Sequence, residues 1–276
     1  MILVTGATGN AGAAVVRALV NAGAEVRGLV REAGHPRLPE GAEAVVGDLN
    51  APETLAPHLG GVTAVFLLSG YDGLEETLGN MRRAGVERVV LLSSSAAPGG
   101  DLTNAVARYH ILSERAVQRS GLGWTFLQPN SFMTNTYQWL PQLRNGDVVR
   151  APFADVRVAT IDPDDIGAVA AAALTSDAHA SRAYRLSGPE SLLPADRVAT
   201  LARVLDRELR FEGQSDEEAR AEMSDSMPPE YVDAFFRFFA DGEIDESQVL
   251  PTVEEVTGRP PRRFEQWARA HADSYR

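Results

Sequence analysis

Cysteine and lysine are both absent from this chain of 276 residues. Without cysteine there are no disulfides, thiolate nucleophiles or thiolate-held zinc sites. Without lysine there is no Schiff base, no phosphate-loop lysine and no catalytic ammonium; every one of the 26 Lys-plus-Arg positions is arginine, an Arg- and Ala-rich composition being the simple cause. Positive charge is scarce as well, because 38 carboxylates leave a formal net charge of −12. That balance repels polyanions, so neither nucleic acid nor an anionic membrane is an expected partner. No apolar run approaches membrane-spanning length, and Met1–Thr5 leads directly into a glycine-rich turn with no basic leader, so a cytoplasmic protein is expected. The apolar content of 44% suffices for a substantial core in one large domain or a domain with an appended lobe.

The first half alternates short apolar runs with helix-like stretches, the pattern of a parallel sheet with crossover helices. Strands are expected at Ile2–Thr5, Glu25–Val30, Ala44–Val46, Ala64–Leu68, Arg88–Leu92 and Trp124–Leu127. Between them lie expected helices at Asn10–Ala22, Pro52–His58, Leu74–Ala84 and Thr103–Ser120, three of them stopped by Gly23, Gly85 and Gly121. The period is lost from Asn130 to Gly146, which reads as a lobe or lid segment. Sheet pattern returns at Arg157–Ile161, followed by a helix from Asp164 to Leu174 and a strand at Ala183–Leu186. Helices at Ala195–Asp206, Asp216–Ser224, Pro229–Ala240 and Arg263–Ala272 and a strand at Glu208–Phe211 complete the chain. The expected fold is α/β: a doubly wound parallel Rossmann sheet with a smaller, interleaved α+β C-terminal lobe. Residues 1–128 with about 150–175 form the nucleotide-binding unit, and about 129–149 with 176–276 form the substrate lobe.

Gly6-Ala7-Thr8-Gly9-Asn10-Ala11-Gly12 joins the first strand to the first helix, whose free N–H groups can face a pyrophosphate. Gly6 permits the tight turn, Gly9 lets a phosphate approach the backbone, and Gly12 lets the helix pack close to the strand. The first interval is one residue longer than in the common dinucleotide fingerprint. At the end of the second strand, Leu29-Val30-Arg31 carries no carboxylate to bind ribose hydroxyls. Arg31 can pair with a 2′-phosphate, with His35 and Arg37 on the same loop, whereas Glu32 would reach the ribose if the register slipped. The local chemistry favours NADP(H) over NAD(H). In Gly47-Asp48-Leu49, Asp48 can accept from the adenine amino group and Leu49 can cover the ring, with Asn50 expected to cap the following helix.

These residues resemble the atypical short-chain dehydrogenase/reductases, in particular the NmrA-like branch that includes quinone, azo-dye and triphenylmethane-dye reductases. The resemblance runs nearly the whole chain through Thr5–Gly12, Leu29–Arg31, Gly47–Leu49, His110–Glu114, Ser120–Pro129, Ile161–Ile166 and Glu254–Pro261. It implies that Gly6, Thr8, Gly9, Asn10, Ala11, Gly12, Arg31, Asp48, Leu49, Leu68, Ser69, Gly70, Ser93, His110, Pro129 and Asn130 bind the cofactor.

The wider superfamily moves its proton with a Tyr-x-x-x-Lys pair, the lysine lowering the tyrosine pKa and binding the nicotinamide ribose. Aligned on Glu114, this chain has His110 in the lysine slot and Val106 in the tyrosine slot, with Tyr109 offset and Gln128-Pro129 where Arg-Pro is usual. An isolated ketone needs an acid beside its developing alkoxide, whereas a quinone, azo bond, iminium or dye cation spreads the incoming charge. The missing pair therefore points to an NADPH-dependent reductase of a conjugated or polycyclic small molecule. Candidate catalytic residues are His110, Tyr109 and Ser94, with ribose contact an equal reading of His110. Candidate substrate contacts are Tyr71, Phe132, Tyr137 and Trp139. The competing class is a non-catalytic NADP(H)-binding redox sensor of the NmrA type, and monomer and homodimer both remain open.

Asp162, Asp164 and Asp165 precede an Ala-rich helix and read as a cap with a favourable dipole rather than a metal site. Phe235, Phe236, Phe238 and Phe239 are split evenly between lining a pocket and packing against lobe or partner subunit.

Overall fold

The computed structural model describes residues 1–32, 34 and 38–275. Among the described residues nine strands run β1 Ile2–Val4, β2 Val26–Val30, β3 Ala42–Val46, β4 Ala64–Leu68, β5 Arg88–Leu92, β6 Gly123–Pro129, β7 Val148–Ala151, β8 Arg182–Leu186 and β9 Arg210–Gly213. The α-helices are α1 Asn10–Asn21, α2 Pro52–Leu55, α3 Leu74–Arg83, α4 Ala105–Arg119, α5 Leu140–Asn145, α6 Pro163–Thr175, α7 Pro194–Leu205, α8 Asp216–Ser224, α9 Pro229–Phe239, α10 Thr252–Thr257 and α11 Phe264–Ala270.

Seven strands form one sheet in the order β3-β2-β1-β4-β5-β6-β8, every pair parallel. The order reverses at β1, so the crevice at the carboxyl ends of β1 and β4 lies at the switch point where doubly wound folds bind ligands. The central strands β1, β4 and β5 are largely buried on both faces, and strand alternation separates two cores. Val4, Phe66, Val90 and Leu127 pack with Val15, Val16 and Leu19 of α1 and Ile166, Val169 and Leu174 of α6. Leu3, Val65, Leu67, Val89, Leu91 and Phe126 face α2, α3 and α4 through Leu55, Leu78, Met81 and Val117. A third core, around Met133, Trp139, Leu143, Val149, Val198, Leu201, Phe264 and Trp267, holds the lobe.

Several boundaries differ from the sequence reading for identifiable reasons. α4 begins at Ala105 because the Asn104 carboxamide accepts from Val106 N and Ala107 N at 3.0 and 3.1 Å, which ends the coil there. Arg157–Ile161 makes only isolated bridges, Val158 with Leu192 and Ile161 with Phe132. Its backbone is instead pinned by Ala159 N to Glu246 O at 2.7 Å and Ile161 N to Ser131 O at 3.0 Å. Strand Glu208–Phe211 is shifted to Arg210–Gly213, where it pairs with β7 in a separate two-stranded sheet. Arg182–Leu186, expected in the lobe, is hydrogen-bonded to β6 at the edge of the main sheet. The segment without a period resolves into a 3-10 stretch over Met133–Trp139 followed by α5. Asn50 does not cap α2: Ala51 stands there, and the Asp48 carboxylate accepts from Asn50 N at 2.9 Å. No helix among the described residues is long and apolar enough to cross a membrane.

Candidate functional site

The glycine-rich turn sits between β1 and α1, closed by Gly9 N to Gly6 O at 2.9 Å. Gly6 has φ +59°, and a Cβ on Gly12 would overlap the Gly6 carbonyl oxygen, so the close approach of helix to turn requires glycine there. Thr5 Oγ1 accepts from Leu68 N at 3.1 Å and locks the turn to the end of β4. α4, α6 and α8 are capped by the side chains of Asn104, Asp162 and Ser215. α1 has neither a side-chain cap nor an acidic residue in its first turn. Its leading N–H groups are thus left for an anion, and the donors fit a pyrophosphate. Thr8, Gly9 and Asn10 border a small cavity of about 180 Å³ whose far wall is Tyr137, Trp267 and His271.

At the other end of the crevice, Arg31, Asp48 and Tyr71 come together. The Tyr71 phenol is pushed up chiefly by burial, with Arg31 opposing and Asp48 adding to the shift. Tyr71 is thus within electrostatic reach of Arg31 and Asp48, and it lines neither the small cavity by the phosphate turn nor the larger one beyond the crevice. Leu49 is buried in the second core, at 5% exposure, and Tyr71 packs against that core. Arg31 and Glu32 are both exposed. His35 and Arg37 lie outside the described residues.

The middle of the site is organised by α4. Gly70 N donates to Ser113 Oγ at 3.1 Å, and Ser113 Oγ donates to Tyr109 O at 2.7 Å, which sets the Tyr109 ring against Gly70. Ser69 Oγ donates to Leu92 O. Each of the three serines after β5 makes a hydrogen bond, Ser93 and Ser95 as donors to carboxylates. Ser93 Oγ donates to Glu114 Oε1 at 2.5 Å, Ser94 Oγ accepts from Ala96 N at 3.2 Å, and Ser95 Oγ donates to Glu246 Oε1 at 2.6 Å. Gln128, the departure from the family's Arg, donates its carboxamide N–H to the same Glu114 oxygen at 2.8 Å. Asn130 is buried and ties Nδ2 to Glu246 O at 3.0 Å, and Pro129 ends β6 beside it.

His110 and Tyr109 have ring centroids 4.1 Å apart. Burial lowers the His110 imidazole to about 4, and its Nδ1 has no hydrogen-bond partner. A lysine in this slot would hold a tyrosine proton loosely by its charge, but a neutral imidazole cannot. The Tyr109 hydroxyl is indeed raised, first by burial and then by Tyr231. An unfolded histidine near 6.5 takes up a proton that the folded one refuses until about pH 4, so stability is intact above pH 6.5 and falls on acidification between those values. The slope is one proton, about 1.4 kcal/mol per pH unit. We predict that urea titrations from pH 7 to 4.5 show this slope and that His110→Leu flattens it by one proton; an unchanged slope in the variant contradicts the assignment.

Beyond the crevice lies a cavity of about 640 Å³ between α5, β7, α7, α8 and α9. Trp139, Arg197, Phe235 and Phe239 contribute to its wall, and Thr134 borders both this cavity and the smaller one by the phosphate turn. Among the substrate candidates, Trp139 is in the wall of the large cavity. Tyr137 borders the smaller cavity, Phe132 packs on the first core, and Tyr109, His110 and Ser94 line neither. The four phenylalanines divide: Phe236 and Phe238 are buried in packing, Phe235 and Phe239 face the cavity. Asp162 accepts from Asp164 N at 2.9 Å as the cap of α6, and the neighbouring carboxylates pair with arginines, Asp165 with Arg259 at 2.7 Å and Asp164 with Arg17 at 2.6 Å.

Two residues of this region carry no sequence signal. Glu246 lies in an acidic stretch without period, and Arg197 sits on an amphipathic helix like any surface arginine. Yet Glu246 is 7% exposed and accepts from Ser95 Oγ, Ser131 N and Ser131 Oγ, tying the β5 loop to the end of β6.

A seven-stranded parallel sheet with an uncapped helix at its switch point defines a Rossmann dinucleotide-binding protein. The NAD(P)H-binding family model matches residues 6–177, and the chain belongs to that family. It is 40% identical to (4-alkanoyl-5-oxo-2,5-dihydrofuran-3-yl)methyl phosphate reductase of Streptomyces griseus, over 100% of this chain and 99% of that one. It is 35% identical to the NAD(P)H azoreductase of Xenophilus azovorans, with the same coverage of 100% and 99%. Among solved structures, the triphenylmethane reductase of Citrobacter sp. complexed with NADP(H) has the same fold, with TM-score 0.80, 20% identity, and 98% and 100% of the two chains covered. The chain is an NAD(P)H-dependent reductase.

Proposed function

We propose that the protein uses NADPH to reduce a flat conjugated acceptor held in the large cavity, without a Tyr-x-x-x-Lys proton relay. The observation that carries this reading is the relay helix: the chain has no lysine, and the histidine in its slot is buried and neutral beside a tyrosine whose proton is held more tightly than usual. Bound at the glycine turn, the cofactor supplies a hydride, and the two-electron reduction is completed by a proton from water. The residues named here hold and orient. Gly9 and the first turn of α1 receive the pyrophosphate, Leu49 covers the adenine, and Trp139, Phe235 and Phe239 give a flat acceptor apolar faces. Such an acceptor delocalises the incoming charge and has little need of an enzyme acid.

The two relatives are named for acceptors of this kind. One name specifies an azo group, and the other an oxo-dihydrofuran with an alkanoyl substituent and a methyl phosphate. The test is NADPH oxidation with quinones, azo dyes and an acyl-substituted unsaturated lactone against simple ketones. Ketones turning over faster than all of these would refute the reading.

NADPH preference is assigned to Arg31, since paired hydrogen bonds to a phosphate are among the stronger polar contacts. Arg31→Ala is expected to cut the NADPH over NADH ratio of kcat/KM about tenfold, in line with a lost charge-assisted bond on an exposed site. A ratio unchanged by the substitution removes Arg31 from the cofactor site.

A further inference from the structure

The large cavity holds a cation that hydride transfer leaves without a task. Arg197 stands on the first turn of α7, with its guanidinium carbon 5.5 Å from the centroid of the Trp139 ring. Its Nε is buried without a hydrogen-bond partner, and the side chain forms no ion pair with any described residue. Arg150, also on the cavity wall, is paired with Glu218 at 2.9 Å. Arg185 likewise has a buried, unpaired Nε, but its Nη2 reaches Asp245 O at 3.2 Å.

Two carboxylates act on Arg197 from a distance, and both are engaged elsewhere. Glu246 accepts from Ser95 and Ser131. Asp196 accepts from Leu193 N at 3.0 Å and faces Arg157 at 3.5 Å. Burial lowers the Arg197 guanidinium to about 10, with Glu246 and Asp196 opposing, so the group is a cation at neutral pH. Arg197 is half-buried, a charge shielded from water without a partner is costly, and in a chain with 38 carboxylates a partner is easily supplied. The unpaired cation faces a cavity large enough for a bicyclic molecule.

We propose that Arg197 receives an anionic oxygen group, a phosphate, sulfonate or carboxylate, carried by the acceptor, so that acidic acceptors are taken in preference to their neutral counterparts. This rests on the reductase reading of the cavity and adds the charge of its substrate. The Trp139 ring lies on one side of the guanidinium, and its terminal N–H groups remain for paired hydrogen bonds with two oxygens of the anion.

The first test is calorimetric titration of the NADP-saturated protein with 2-naphthyl phosphate and with 2-naphthol, neither of which is reduced. The wild-type protein is expected to bind the phosphate about thirtyfold more tightly, Arg197→Met to lose that preference, and Arg197→Lys to recover part of it. In turnover, the kcat/KM ratio of 1,2-naphthoquinone-4-sulfonate to 1,2-naphthoquinone should fall about thirtyfold in Arg197→Met, through KM rather than kcat. A wild-type protein that binds naphthol as tightly as naphthyl phosphate overturns the proposal whether or not the variants fold, and so does an unchanged acceptor ratio in Arg197→Met. Selective phosphate binding with no turnover of any acceptor would fail the reductase reading and support the anion site. Turnover without charge preference would fail the anion site alone.

Discussion

Gly12→Ala is expected to raise the dissociation constant for NADPH at least about a hundredfold, roughly 2.7 kcal/mol. The added Cβ would overlap the Gly6 carbonyl oxygen and press on the Gly6 and Thr5 backbone. Neither is the tip of a flexible side chain, so the turn or α1 must move. That carbonyl accepts from Gly9 N at 2.9 Å, and the same turn presents the first N–H groups of α1 to the pyrophosphate. Displacing it removes pre-oriented donors, because α1 has no side-chain cap to substitute for them. Gly9→Ala provides the graded comparison. Its Cβ would lie 3.3 Å from the same oxygen, which a few tenths of an ångström of relaxation accommodates, and its effect should be several times smaller. Cofactor fluorescence titrations, with melting curves to show that each variant is folded, measure both. NADPH affinity in Gly12→Ala within threefold of wild type would mean that the turn does not bind the cofactor.

Glu246→Ala should destabilise the protein by about 3–5 kcal/mol, the range for removing one member of a buried charged network. The carboxylate accepts from Ser95 Oγ at 2.6 Å, Ser131 Oγ at 2.6 Å and Ser131 N at 3.1 Å, and alanine leaves all three donors dry. For a chain of this length the melting temperature should fall by roughly 8 °C. Glu246→Gln keeps one acceptor oxygen and turns the other position into a donor for a rotated serine hydroxyl, so a loss of less than half is expected. Because Ser131 borders the large cavity, the alanine variant should also bind acceptors more weakly than the glutamine variant at temperatures where both are folded. A melting point for Glu246→Ala within 2 °C of wild type would show that water reaches these donors, contrary to the 7% exposure of Glu246.

The cofactor half of the molecule was legible because its signals are local. A run of two to five apolar residues followed by glycines at 6, 9 and 12 and an amphipathic helix needs no distant partner to be read. β1, β2, β4 and β5 accordingly end within a residue of expectation, and the expected nucleotide-binding unit is matched by the NAD(P)H-binding family model over residues 6–177. The lobe was harder. Met133–Trp139 forms a 3-10 stretch because its side chains bury against α7, α11 and the C-terminal turn, with Thr136 Oγ1 within 2.7 Å of the Tyr275 hydroxyl across 139 positions of sequence. No window of a dozen residues contains that contact. Arg157–Ile161 fails as a strand for a similar reason: the groups that satisfy its backbone, Ser131 O and Glu246 O, are one a near and one a far segment of coil.

The sequence by itself determined the absence of lysine and cysteine chemistry, the parallel-sheet pattern and the glycine-rich turn, since each depends on residue identity or on spacing within one element. Tertiary structure alone decided which polar groups are buried and which of them are partnered. His110 is neutral because α4 is covered, Ser93 and Ser95 are committed to Glu114 and Glu246, and Arg197 is unpaired beside Trp139. Desolvation and pairing belong to the space around a side chain, and that space is assembled from segments far apart in the chain.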